Sequence, residues 1–184
     1  MDEREAHASR LVADYAAALG IAPPDVRFVQ TSPGPCYEAL FNRIEIDSRT
    51  LGLPEPALRL VLAHEVAHAT QRAALLADFL WIVLRVTVMF SVPCILFAAL
   101  PDRELWRVSI PGACFALIWV ASWWAWRIRA SKRAVTLELD ADAKATQLCG
   151  SQATLSALEV MLMRGYIDAD RFHAMQDRLP PSSP

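Results

Sequence analysis

The stretch His64-Glu65-Val66-Ala67-His68 decides how the rest of the chain is read. It lies in a run from Ala57 to Gln71 in which Leu58, Val61, Leu62, Glu65 and Ala69 fall at helical spacing, after Pro54 and Pro56. Proline suits a first helical turn because its missing N–H would have had no partner there. No breaker follows, so this helix is expected to continue well past Leu84. Residues four apart face the same way on a helix, so both imidazoles can reach one ion. Glu65 follows the first of them, where it can hold a water instead of the metal. H-E-x-x-H on a helix is the arrangement of zinc hydrolases. The ion acidifies a water and polarises a carbonyl, and the carboxylate takes the proton. Only four histidines occur in the chain. Two of them at this spacing make a chance surface pairing the poorer reading.

Two histidines leave a catalytic zinc one protein ligand short. His7 and His173 remain, but the better source is Glu138-Leu139-Asp140-Ala141-Asp142. Glu138 and Asp142 are again four apart; Glu138 could ligate the ion while Asp142 fixes a histidine from behind. The same segment also reads as an ordinary acidic helical face. Spacing favours the ligand. From His68 to Phe79 is 11 residues, and from Arg127 to Glu138 is also 11. If helical, each arm covers about 16 Å, so an antiparallel hairpin between them returns Glu138 to the depth of His68.

That hairpin is expected from two apolar runs. Phe79–Leu100 has 22 residues, with Arg85 and Pro93, and Val108–Trp126 has 19 with no charge. About 20 helical residues cross a bilayer's hydrocarbon core. Trp81, Trp106, Trp119, Trp123, Trp124 and Trp126 fall near the run ends, where indoles prefer the interface. Arg85 could snorkel toward headgroups. Arg72, Arg127, Arg129, Lys132 and Arg133 flank one side against Arg103 and Arg107 on the other. The positive-inside rule then predicts a multi-pass protein of the cell (inner) membrane, with both termini and the active site cytoplasmic. A buried hairpin of a soluble protein is the competing reading; a chain this short could hardly cover two such helices on every side.

Around this core the rest follows. The chain has 184 residues, net charge -2 and 54% apolar residues, with mean hydropathy +0.26. Its size suits one domain, 1–184, and its charge offers no polybasic signature of a nucleic-acid binder. The charged start, Asp2-Glu3-Arg4-Glu5, is not that of a secretory signal. Residues 3–19 read as a helix ended by Gly20, and Val26–Gln30 as a strand. Cys36 to Asp47 is a second β region that could turn at Asn42-Arg43 or run straight through. Helix is expected again from Val135 to Leu162, with a break at Gly150-Ser151, and 179–184 reads as a disordered tail. Cys36, Cys94, Cys114 and Cys149 form no C-x-x-C pair and read as unpaired thiols in a reducing compartment.

From about Ile21 to Leu162 the chain resembles the HtpX-like and prenyl-protein (CAAX) endopeptidases, membrane gluzincin metallopeptidases. The resemblance rests on His64-Glu65-Val66-Ala67-His68, on Glu138-Leu139-Asp140-Ala141-Asp142, and on the continuation from Asp142 through Gly150 to Leu158. In that family a later E-x-x-x-D helix completes the H-E-x-x-H site, and bacterial members place a membrane hairpin between the two. The resemblance implies an α+β, mainly helical fold: a minimal gluzincin domain with a small β region and an inserted two-helix hairpin. It implies one zinc ion on His64, His68 and Glu138, with Glu65 as base and acid and Asp142 in support. It also implies a transition-state stabiliser from the later region, for which Tyr166, Arg171 and His173 are the nominees. N-terminal membrane helices and a His-Pro-rich segment, present in larger relatives, are missing here.

The function expected is a membrane-anchored zinc endopeptidase whose protein or peptide substrate lies extended along 36–47, pairing main chain to main chain. The competing function is a metal-stabilised membrane adaptor or regulator without turnover. Glu65 argues against it, since a purely structural site has no use for that carboxylate.

Overall fold

Gly20, Gln71 and Gly150 punctuate the helical part of the chain. The computed structural model describes residues 2–30, 34–99, 105–165, 167 and 169–177; side chains at 96, 97, 99, 105–108, 110, 111, 170 and 171 are not described. The architecture is α+β and mainly helical, with one small sheet among the described residues. The first helix, α1, runs Glu3–Ala18 and buries Ala8, Leu11, Val12 and Ala16. It ends where Gly20 takes φ +68°, a left-handed value glycine adopts without steric cost.

Three strands follow: β1 (Asp25–Val29), β2 (Cys36–Glu38) and β3 (Arg43–Asp47). The 36–47 region does turn, and Asn42 takes the positive φ of 52° that the turn requires. Tyr37 Oη donates to Asn42 Oδ1 at 2.8 Å across it. Strand order is β1-β3-β2, with β1 parallel and β2 antiparallel to β3. The alternation seen in the sequence is that of the central strand, whose Ile44 and Ile46 are fully buried. Because β3 is paired on both sides, β2 is the part of 36–47 that keeps an open edge.

Asp47 then caps a short helix, α2 (Ser48–Leu51), its carboxylate accepting from the Thr50 N–H at 3.1 Å and from the Thr50 hydroxyl. Helix α3 (Glu55–Thr70) has Pro56 in its first turn and packs against α1, β2 and α6 (Ser151–Met163). The helix expected to run on past Leu84 is interrupted. Gln71 ends α3 with its N–H on the His68 carbonyl at 2.9 Å, and α4 (Arg72–Ala99) starts beyond it. Helix α5 spans Leu105–Cys149; Gly150, at φ +83°, separates it from α6, and α7 (Ala169–Gln176) follows.

The chain divides into two compact units, residues 1–73 with 137–184, and residues 74–136. The first holds the buried cluster of Ala57, Leu60, Ala63, Ala145, Ala157 and Leu158. In the second, Arg133 pairs with Asp78, and Arg85 donates to the Ser122 carbonyl at 3.1 Å and hydroxyl at 2.6 Å. Those pairs run in opposite sequence order, so α4 and α5 are antiparallel in this unit. The Arg85 guanidinium is held by Ser122 and lies 5.4–5.9 Å from the ring centroids of Trp81, Trp119 and Trp126.

The membrane topology expected from the sequence is overturned. Among the described residues one helical segment is long and apolar enough to cross a membrane, Arg72–Ile95, with mean hydropathy 2.0 and none of its window buried. Of the run at 108–126, the side chains at 108, 110 and 111 lie outside the described residues, as do residues 101–104 before it. A single such segment does not carry a chain across a bilayer and back, so the multi-pass inner-membrane arrangement with cytoplasmic termini is not supported. Arg72, counted there as a membrane flank, instead donates to the Ala39 carbonyl at 2.9 Å, tying the β2–β3 turn to the end of α3. The tail at 179–184 also lies outside the described residues. All four cysteines are unpaired.

Candidate metal centre

Helix α3 buries Leu58, Leu60, Leu62, Ala63, Val66 and Ala67, and so fixes the face that carries His64 and His68. Alanine decides how closely its neighbours approach. Ala63 of α3 shares a cluster with Ala145 of α5 and Ala157 of α6, all fully buried, and a methyl group holds packed helices apart less than any longer side chain. The stretch of α5 from Leu137 onward, within the same unit, is thereby brought to α3.

Three side chains converge there. His64 Nε2 and His68 Nε2 are 3.1 Å apart. Glu138 lies 3.5 Å from each ring through its two oxygens. The ligand atoms of all three lie within 4.8 Å of one another, a group able to hold a metal ion. Two ligands each about 2 Å from a tetrahedral ion are separated by about 3.3 Å, so this spacing is that of donors sharing one cation. Glu138 is half exposed while both histidines are mostly buried, which leaves one side of the group open.

The ring orientations are held from behind. Asp142 Oδ1 sits 2.8 Å from His64 Nδ1, so that nitrogen carries a proton and Nε2 keeps its lone pair. On the other ring, His68 Nδ1 is 3.0 Å from Gln71 Oε1. The Gln71 amide cannot be turned round. Its Nε2 donates to the Leu137 carbonyl at 2.9 Å and to Asp140 Oδ2 at 2.8 Å, which forces the amide oxygen toward His68. His68 therefore also donates from Nδ1 and presents Nε2. Lys144 extends this network, its ammonium reaching Asp140 at 2.6 Å and the Thr70 hydroxyl at 2.8 Å.

Burial disfavours the charged form of His64, but the Asp142 hydrogen bond and the charges of Asp142, Glu65 and Glu138 outweigh it and hold its pKa above the usual imidazole value. His68 is held below that value, by burial first and then by the neighbouring His64 charge. Glu65, on the same helix, is buried, with 8% of its surface exposed.

Of the residues nominated from sequence, His64, Glu65, His68, Glu138 and Asp142 come together in one unit. Of the stabiliser nominees, His173 alone has a described side chain. Tyr166 lies outside the described residues, and Arg171 is on α7 with its side chain outside them. His173 is an exposed residue of α7 whose ring meets neighbouring Phe172 at 5.5 Å. His7, the other spare histidine, pairs with Glu55 at 3.0 Å. Gln71 was not nominated. Its signal was present, because it stands three residues after His68, within reach on one helix face.

Comparison of the chain with family models, with curated proteins and with solved structures found no match.

Proposed function

We propose that this protein is a zinc-dependent endopeptidase of the HtpX-like and CAAX endopeptidase kind, a minimal gluzincin that hydrolyses peptide bonds. The observation that carries this reading is the convergence of His64 Nε2, His68 Nε2 and the Glu138 carboxylate beside the buried Glu65. Two imidazoles and one carboxylate, with a side left open, are a catalytic donor set for zinc, whereas structural sites fill all four positions. Zinc held there would supply Lewis acidity, acidifying a water and polarising the scissile carbonyl. Glu65 takes the proton of the attacking water and passes it to the leaving amide nitrogen. Asp142 and Gln71 keep the two rings in the tautomer that binds metal. The open edge of β2 offers main-chain groups to an extended substrate. The contact between helix α3, which bears Glu65, and β2 supports this reading. Association with a lipid bilayer, part of the same reading, rests on the exposed apolar α4 alone.

The test is zinc content and peptide cleavage measured together. The purified parent chain should retain one zinc and cleave members of a proteome-derived peptide library. Glu65→Gln should keep the zinc and lose about 10²–10⁴-fold in rate. Glu138→Ala should lose zinc, while Glu159→Ala, an exposed change on α6, should not. A zinc-loaded parent that cleaves nothing, or a Glu65→Gln protein as active as the parent, overturns the proposal.

A further inference from the structure

One buried carboxylate beside the metal centre has no part in the chemistry proposed above. A cleft of about 400 Å³ opens there, with His64, Glu65, Asp142 and Asp47 in its wall. Glu65 is the candidate base, and Asp142 holds His64. Asp47, the last residue of β3, is only 2% exposed. Both polar contacts of its carboxylate fall on one oxygen: Oδ1 accepts from the Thr50 N–H at 3.1 Å and from the Thr50 hydroxyl. Among the described residues no hydrogen bond or ion pair reaches Asp47 Oδ2.

Capping α2 does not account for this charge. The cap uses one acceptor oxygen, and asparagine or serine would supply it about as well. A full carboxylate taken out of water costs free energy unless a positive group pairs with it. Arg49, two residues on, lines the same cleft, but its side chain is exposed to solvent and forms no ion pair with Asp47. The missing positive charge is then one that a ligand brings. Leu60, Val61 and Leu158 make the neighbouring wall apolar. An apolar wall with a buried carboxylate in it matches a chain of methylenes that ends in a cation.

We propose that Asp47 is a specificity-determining residue that binds a lysine or arginine side chain of the peptide substrate. The inference rests on the endopeptidase reading above and adds its substrate class. Gly34 and Pro35, which lead directly into β2, line the same cleft. An extended peptide added to β2 directs successive side chains to alternate faces, so one of them can turn into the cleft. Its methylenes cover Leu60, Val61 and Leu158 and gain free energy by leaving water. Its ammonium or guanidinium donates to Asp47 Oδ2 in a charge-assisted hydrogen bond. A neutral side chain of the same length leaves the carboxylate buried and unpaired. The cleft therefore discriminates by charge more than by size.

The experiment uses the zinc-loaded full chain and two N-acetylated peptidyl hydroxamates that share a metal-binding group. One carries the aminobutyl side chain of lysine and the other the butyl side chain of norleucine, and calorimetry gives both affinities. The aminobutyl compound should bind the parent about 30-fold more tightly or better, the size of a desolvated charge pair. Asp47→Asn keeps an oxygen for the Thr50 donors and removes the charge. It should bring the two affinities within about fivefold, as for an exposed pair, by weakening the aminobutyl compound, with zinc content unchanged. Asp47→Ser, a second uncharged capping residue, should give the same result. Arg49→Ala should keep the preference of the parent. A preference that survives Asp47→Asn, or one that emerges only in Arg49→Ala because Arg49 otherwise neutralises Asp47, overturns the assignment. If zinc is retained and the parent binds both compounds within about fivefold of each other, the Asp47 assignment is overturned while the endopeptidase reading stands. If the parent retains no zinc and binds neither compound, both fall together.

Discussion

Helices α3 and α4 follow one another in the chain, separated by Gln71, and both are apolar, yet they meet opposite fates. α3 buries Ala57, Leu58, Leu60, Leu62, Ala63, Glu65, Val66 and Ala67, packed by α1, α6 and β2. The apolar window of α4 is not buried at all, and Phe79, Leu80, Trp81 and Phe90 stand exposed. α4 is the more apolar of the two, so apolar content does not decide burial. What decides it is whether other elements offer complementary surface. α3 has such partners, and their packing also fixes the chemistry on its face.

The largest effect expected from this contrast is in stability. Leu62→Ala removes a fully buried side chain from α3 and should cost about 2–5 kcal/mol in urea unfolding. Leu80→Ala, on α4 with 63% of its surface exposed, should stay within about 0.5 kcal/mol of the parent. Equal losses at the two positions would break the contrast, and would mean that another molecule covers α4 in solution. Next comes Gln71, the residue at which the two helices part. Gln71→Met keeps the length of the side chain but loses all of its hydrogen bonds, so His68 is no longer oriented. Metal affinity, measured by competition with a chelator, should fall about 10–100-fold; an unchanged affinity would show that α3 holds His68 unaided.

The smallest effect lies at the start of α3. The Arg59 hydrogen bond holds the Glu55 carboxyl below its usual pKa, burial opposes it weakly, and the His7 contact adds to the lowering. A depressed carboxylate contributes stability that is present above its unfolded pKa, about 4.3, and is lost as pH falls through the lower folded value. Glu55→Gln should therefore cost less than about 1 kcal/mol at pH 7, since the pair is exposed. The deficit should vanish in acid below the folded value. A deficit that persists there would point to packing instead of charge.

Much of the candidate site was legible because its information is local. His64, Glu65 and His68 belong to one helical turn, and the i, i+4 rule alone put both imidazoles on one face. Helix ends at Gly20 and Gly150 were legible for the same reason, a positive φ at a residue without a Cβ. Glu138 and Asp142 could be paired with each other from sequence, but their approach to α3 required a hairpin read as membrane-spanning. The membrane-spanning reading was overturned, while α4 and α5 do run antiparallel and Ala63, Ala145 and Ala157 share one buried cluster. Gln71 was missed because its importance lies in partners 66 and 69 residues away, Leu137 and Asp140.

By itself, then, the sequence determined a helix bearing two imidazoles and a carboxylate, a small β region, and a mainly helical chain with a long apolar stretch. These depend on φ/ψ preference and on periods of a few residues. Only the tertiary structure decided that 36–47 turns at Asn42 and leaves β2 as the open edge, and that Glu138 reaches the histidines. It alone decided that the Gln71 side chain binds across to α5, and that Phe79, Leu80, Trp81 and Phe90 of α4 stand exposed. Each of these depends on which surfaces meet over long sequence separations, and a periodicity that records only near neighbours carries no information about that.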